Sequence, residues 1–132
     1  MNIINILRNY WKSIAIAIII LYLSFAPPST FKKIPTFEIV NLDKIVHLMM
    51  YAALTFVLMH DFIRHNKNNI KFRSFVYLCV IFPILFGGII EIMQTTFFAP
   101  RTGSWFDMMF NISGVFFGWL LIYLFKKKRI KV

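Results

Sequence analysis

Four apolar stretches within 132 residues constrain this chain more than any other feature. They run from about Trp11 to Ala26, Leu42 to Ile63, Phe75 to Phe98 and Trp105 to Phe125. A bilayer core takes roughly 17–25 residues as helix, and the last three stretches meet that length. The first is short unless the weakly apolar run from Ile3 extends it. Hydrocarbon admits only segments that satisfy their own backbone, and runs of this length do so as helices. The expected fold is an all-α membrane protein, a bundle of four transmembrane helices forming one domain over residues 1–132. Charged residues make up 15% of the chain, against roughly a quarter in soluble domains.

Arg8, Lys12 and the small-x-small run Ser24-Phe25-Ala26 give the first stretch some character of a cleaved signal peptide. Pro27 and Pro28 follow at once, and their rigid backbone suits a helix stop, so a retained helix is expected. Pro83 removes a backbone donor inside the third stretch and predicts a kink or a loosened ladder. Cys79 is the single cysteine, so no internal disulfide is available, and it reads as a small packing residue.

The net charge of +10 is distributed as a topology signal. Eleven of the fifteen Lys and Arg fall before or at the start of the first stretch, between the second and third, and after the fourth. The alternate segments hold four: Lys32, Lys33, Lys44 and Arg101. The positive-inside rule puts the eleven, and both termini, in the cytoplasm. This excess suits anionic lipid. Nucleic acid is not an expected partner, because no folded reader stands beside the basic tail. His60, Asp61 and His65, at the same boundary, read as solvated end residues.

The opposite ends of three stretches carry a different population. Asp43, His47 and Tyr51 recur every four residues and line one stripe of a helix, with Lys44 beside it. Glu91 and Gln94 are an i, i+3 pair, and Glu91 lies about seven residues, or roughly 10 Å, below the end of its stretch. Asp107, Asn111, Gly114 and Gly118 share a stripe of the fourth stretch, and Arg101 lies in the turn before it. A lone charge at a helix centre costs about 2.5–3.5 kcal/mol on insertion scales, so mutual pairing in one outward-facing pocket is expected. Arg101 or Lys44 is the expected partner of Glu91, and His47 a proton partner for any carboxylate there. Simpler readings stand beside this one. Ser104-x-x-Asp107 matches a capping box, Asp43 suits a helix first turn, and Tyr51 and His47 have structural uses. Gly114-x-x-x-Gly118 is a close-packing signature of membrane helices, used within a chain more often than between copies.

The ordered set Asp43-Lys44-x-x-His47-x-x-x-Tyr51, Glu91-x-x-Gln94, Arg101 and Asp107-x-x-x-Asn111-x-x-Gly114-x-x-x-Gly118 resembles the VanZ-like family over roughly residues 42–125. The resemblance implies a small multi-pass protein of the bacterial cytoplasmic membrane with a cell-envelope setting. The family's namesake is associated with resistance to the glycopeptide teicoplanin, and the resemblance implies no particular reaction.

Two functions follow from the cluster. In the first, the pocket binds an amphiphilic or lipid-linked envelope component, with Arg101 and Lys44 on an anion and Glu91 and Gln94 orienting them. In the second, the protein is an intramembrane hydrolase or transferase. Glu91 or His47 is then the acid/base, Asp43 or Asp107 the orienting group, and Arg101 the stabiliser of developing charge. A metal on His47, Glu91 and Asp107 lacks a compact ligand spacing, and no cofactor is expected. A solitary carrier is disfavoured by the lack of duplicated halves or a broken-helix pair. Topology is directly measurable. In a Cys79→Ser background, Gly103→Cys should react with an impermeant thiol reagent added to intact cells. Protection there, with labelling of a cysteine in the tail, would reverse the orientation.

Overall fold

Each apolar stretch forms a helix whose ends follow from local chemistry. The computed structural model describes residues 2–26, 42–97 and 104–126. Four helices in it are long and apolar enough to cross a membrane: α1 (Ile3–Phe25), α2 (Leu42–His65), α3 (Phe72–Phe97) and α4 (Trp105–Lys126). No strand occurs among the described residues. The connection 27–41, the turn 98–103 with Arg101 and Thr102, and the basic tail 127–132 lie outside them.

The weakly apolar run from Ile3 does extend the first helix, which bends at Tyr10 (φ −116°, ψ 19°). It stops where Ala26 turns extended (φ −61°, ψ 139°), because a residue preceding proline avoids the helical region. Asp43 in the first turn of α2 and Arg64 and His65 in its last turn each oppose the local end of the helix dipole. Beyond that end, Asn66 donates to the Phe62 carbonyl through its side-chain amide, at 2.9 Å, and through its backbone N–H, at 3.0 Å. At the start of α4, Ser104 Oγ accepts the Phe106 N–H at 3.1 Å, an N-cap on one of the helix's orphan donors.

Pro83 acts as its chemistry requires. A π-helical turn, Tyr77–Ile81, precedes it, and the Phe82 N–H reaches back to the Tyr77 carbonyl. The widened turn shifts the hydrogen-bond register by one residue just before the missing donor, so the ladder resumes beyond the proline. Cys79 is fully buried within this turn.

The most extensive pairing is between α2 and α4. Gly114 and Gly118 lie against the α2 backbone, where a Cβ would meet the carbonyl oxygens of Leu48 and Ala52. The small-xxx-small stripe is thus used within the chain, letting two backbones touch. Tyr51 is buried between Gly87 of α3 and Gly114 of α4. About 39% of the most apolar part of α2 is buried, against 17% for α1, so α2 is the centre of the bundle and α1 its periphery. The outer faces present Ile18, Ile89, Ile92, Phe116 and Leu124, among others, as a lipid-facing surface demands.

Polar ties hold α1. Near its end, the Gln94 amide donates to the Ser24 carbonyl at 2.7 Å, reaching one of the carbonyls a helix terminus leaves without an internal partner. Midway along it, the Ser13 hydroxyl donates to Asp61 at 3.1 Å. This corrects the reading of Asp61 as a solvated end residue, since it is only 4% exposed. His60 stands 3.5 Å from the other Asp61 oxygen, and the ring of His65 packs 6.2 Å from that of Tyr10. Depth along α2 was readable from sequence, but which face α1 covers was not.

The glycine contacts separate two substitutions that look alike. Gly114→Ala should destabilise the protein by about 1–3 kcal/mol, because the methyl group meets an immovable backbone carbonyl. Gly88→Ala meets only the terminal methyl of Met108 and should be neutral or slightly stabilising. Thermal unfolding in detergent measures both, and equal effects would contradict the close approach of α2 and α4.

Candidate functional site

Glu91 is the carboxylate that needs explaining, because it is buried at 7% exposure in an otherwise apolar helix. The helices around it supply three kinds of neighbour. From α2, His47 Nδ1 stands 3.6 Å from Glu91 Oε1. From α4, the Asn111 amide donates to the same oxygen at 3.4 Å. The other end of that amide completes the chain, with Asn111 Oδ1 at 2.9 Å from His47 Nδ1. A carbonyl oxygen only accepts, so in this arrangement Nδ1 carries the proton. The Ser104 backbone N–H also points to the Glu91 carboxylate as a hydrogen-bond donor, and the Asp107 carboxylate lies nearby.

Helix geometry explains why these groups meet. Asn111 lies one turn before Gly114 on the same stripe, and His47 immediately precedes Leu48, whose carbonyl Gly114 abuts. The close contact of the two backbones therefore draws the amide onto the imidazole. Glu91 then approaches from α3, one turn beyond Gly87, which packs on Tyr51.

A groove of about 460 Å³ opens beside the cluster, between α3 and α4. Gly88 and Glu91 lie on it, and Ile92, Thr95, Trp105 and Met108 are among its walls. Ile92 and Trp105 are strongly exposed on the outer face, so the groove faces the space a bilayer would fill. Thr95 and Thr96 hydroxyls donate to carbonyls one turn back in α3, at 3.0 and 2.8 Å. Glu91 Oε2 is buried and has no hydrogen-bond partner among the described residues. The site thus places a buried carboxylate on the wall of an apolar cleft.

The expected site residues separate into groups. His47, Glu91 and Asn111 form the connected centre. Asp107 is buried nearby in the first turn of α4, so its capping position and its proximity to Glu91 coexist. Tyr51 continues the His47 stripe, but its ring packs on glycines, and its hydroxyl is buried without a partner among the described residues. Gln94 is turned to α1 rather than to Glu91. Asp43 is exposed, because the stripe it begins emerges from the bundle one turn above His47. Lys44 does not take the place expected beside Glu91; its ammonium stands 5.3 Å over the Phe106 ring, and the His47 imidazole lies there instead. Arg101 lies outside the described residues. Among those residues no three His, Cys, Asp or Glu groups gather as a metal would require, so His47, Glu91 and Asp107 do not form such a set. The groove walls Ile92, Trp105 and Met108 carried no signal in the sequence, since an apolar residue facing a cleft looks like one facing lipid.

The VanZ/LLP1 family model matches residues 2–126, which include all four helices and every described member of the cluster. Neither a curated protein nor a solved structure gives a significant match. Matched over nearly its whole length, this multi-pass membrane protein belongs to the VanZ/LLP1 family.

Proposed function

We propose that the protein is a cell-envelope component of the bacterial cytoplasmic membrane whose groove at Glu91 faces outward and binds an amphiphilic ligand. That ligand is a lipid-linked envelope precursor or a lipoglycopeptide, and its capture alters glycopeptide susceptibility. One observation carries the reading: the Glu91 carboxylate, one oxygen of which has no hydrogen-bond partner among the described residues, lies on the wall of a laterally open, largely apolar groove. Such a surface calls for a hydrogen-bond donor (an ammonium, an amide N–H or a sugar hydroxyl) on a molecule that also has a hydrocarbon part.

In this reading His47 and Asn111 hold Glu91 through its Oε1 and fix the orientation of the carboxylate. Asp107 lies beside the same point. Lys44 and Arg101 are assigned to the rim, as contacts for any anionic part of the ligand. The alternative, an intramembrane hydrolase or transferase using His47 and Glu91, draws support from the contact between imidazole and carboxylate. Binding is favoured over catalysis because the near imidazole nitrogen is engaged by Asn111 and His47 is not among the groove walls.

The purified full chain in detergent, titrated with teicoplanin and with a polyprenyl-linked glycopeptide, tests the proposal. Glu91→Gln should weaken binding of at least one probe about tenfold, the size of one charged hydrogen bond. Gly88→Leu should do the same by filling the cleft while leaving every charge in place. Unchanged affinity in both variants, with helicity retained, would reject the groove as the binding site. Release of a cleaved product from either probe, abolished in His47→Ala, would establish the enzymatic alternative instead.

A further inference from the structure

The end of the bundle opposite Glu91 contains a second cavity with the reverse chemistry. About 570 Å³ is bounded by His60, Ile63, Arg64, Lys67, Ile70 and Lys126. Small-molecule sites occupy roughly 300–1,000 Å³, so the volume is ample for a headgroup. Arg64 comes from the last turn of α2, Lys67 from the turn that follows, and Lys126 from the last turn of α4. Three separate segments therefore bring cations to one space.

No carboxylate lines that space among the described residues. Asp61 is the neighbouring acid, and it is committed elsewhere. One of its oxygens receives the Ser13 hydroxyl of α1, and the other lies 3.5 Å from His60 Nδ1. The C-terminal dipoles of α2 and α4 favour nearby positive charge, but Lys67 lies beyond the helix and a dipole does not fill a cavity. Converging cations around an open volume are matched by an oxyanion, which guanidinium and ammonium groups grip through charge-assisted hydrogen bonds.

We propose that this cavity is a binding site for a phosphate group, supplied by the headgroup of an anionic membrane lipid. The lipid source follows from the remaining walls. Ile63 and Ile70 give the cavity an apolar side, and it lies where α2 and α4 end their apolar spans. A phospholipid places phosphate and the start of its acyl chains at that level. Basic recesses between membrane helices recognise anionic headgroups in this way. The site shares no lining residue with the groove at Glu91, so either assignment stands or falls alone.

Mass spectrometry of the intact full chain with bound lipid, comparing phosphatidylglycerol with phosphatidylcholine, tests the site. Phosphatidylglycerol should bind preferentially, and Arg64→Gln/Lys67→Gln should weaken it about tenfold or more. Arg8→Gln/Lys12→Gln removes the same charge from α1, outside the cavity, and should leave the preference intact. An unaltered preference in the Arg64/Lys67 variant, or an equal loss in both variants, would overturn the site in favour of diffuse surface charge. Circular dichroism confirms that each variant retains its helices. Glycerol phosphate, which lacks acyl chains, should compete poorly; if it displaced the lipid at matched concentration, the lipid source would be wrong.

Discussion

The contact between the α2 and α4 backbones is the constraint on which the rest of the structure depends. With hydrogen alone at Gly114 and Gly118, α4 lies directly on the carbonyls of Leu48 and Ala52. Association in lipid lacks a hydrophobic drive between helices and relies on packing and polar contacts, so this seam supplies what greasy side chains cannot. It also fixes the register. Asn111, one turn before Gly114, has no choice but to face His47, and the pair then presents a polar edge to α3. The site is a consequence of the packing rather than an addition to it.

Two of the buried carboxylates, Asp61 and Glu91, have surroundings that differ in a way that bears on function. Asp61 has both oxygens engaged, one by a hydroxyl and one beside an imidazole. It joins α1 to α2 and opens onto nothing. Glu91 has one oxygen engaged by Asn111 and lying near His47, while the other is buried with no hydrogen-bond partner among the described residues. Leaving a buried acceptor unmade costs about 1–3 kcal/mol, a penalty that a donor arriving through the groove would remove. Two residues of one chemical type thus have distinct uses, decided by what the neighbouring helices place against each oxygen.

The polar groups at the two ends also divide by sign. The Glu91 end collects carboxylates around an imidazole and an amide, whereas the opposite end gathers Arg64, Lys67 and Lys126 around a recess. Both arrangements follow one rule. In a segment surrounded by hydrocarbon, polar side chains are retained where they meet one another or a ligand, and the lipid-facing surface is left to Ile, Phe and Leu. Pro83 is accommodated by the same rule, since the π turn before it keeps the backbone bonded to itself.

Length and hydropathy alone determined the four helices and their order, because a span must satisfy its backbone internally and long apolar runs have one way to do so. The spacing of Asp107, Asn111, Gly114 and Gly118 determined a stripe, and the glycines on it announced a close contact. Periodicity also indicated that Glu91 required company. It offered His47 as a proton partner, which stands beside Glu91, but not the Asn111 amide; Lys44 stands over Phe106 and Gln94 turned to Ser24. Asp61 was judged by its position along α2, although its burial came from Ser13 on a helix nearly fifty residues earlier. A helical repeat reports the angle of a side chain about its own axis and says nothing of how the axes are arranged. Which faces met, which carboxylate oxygen was left open and where a cleft remained were decided only when four helices packed, because those are properties of distances between segments.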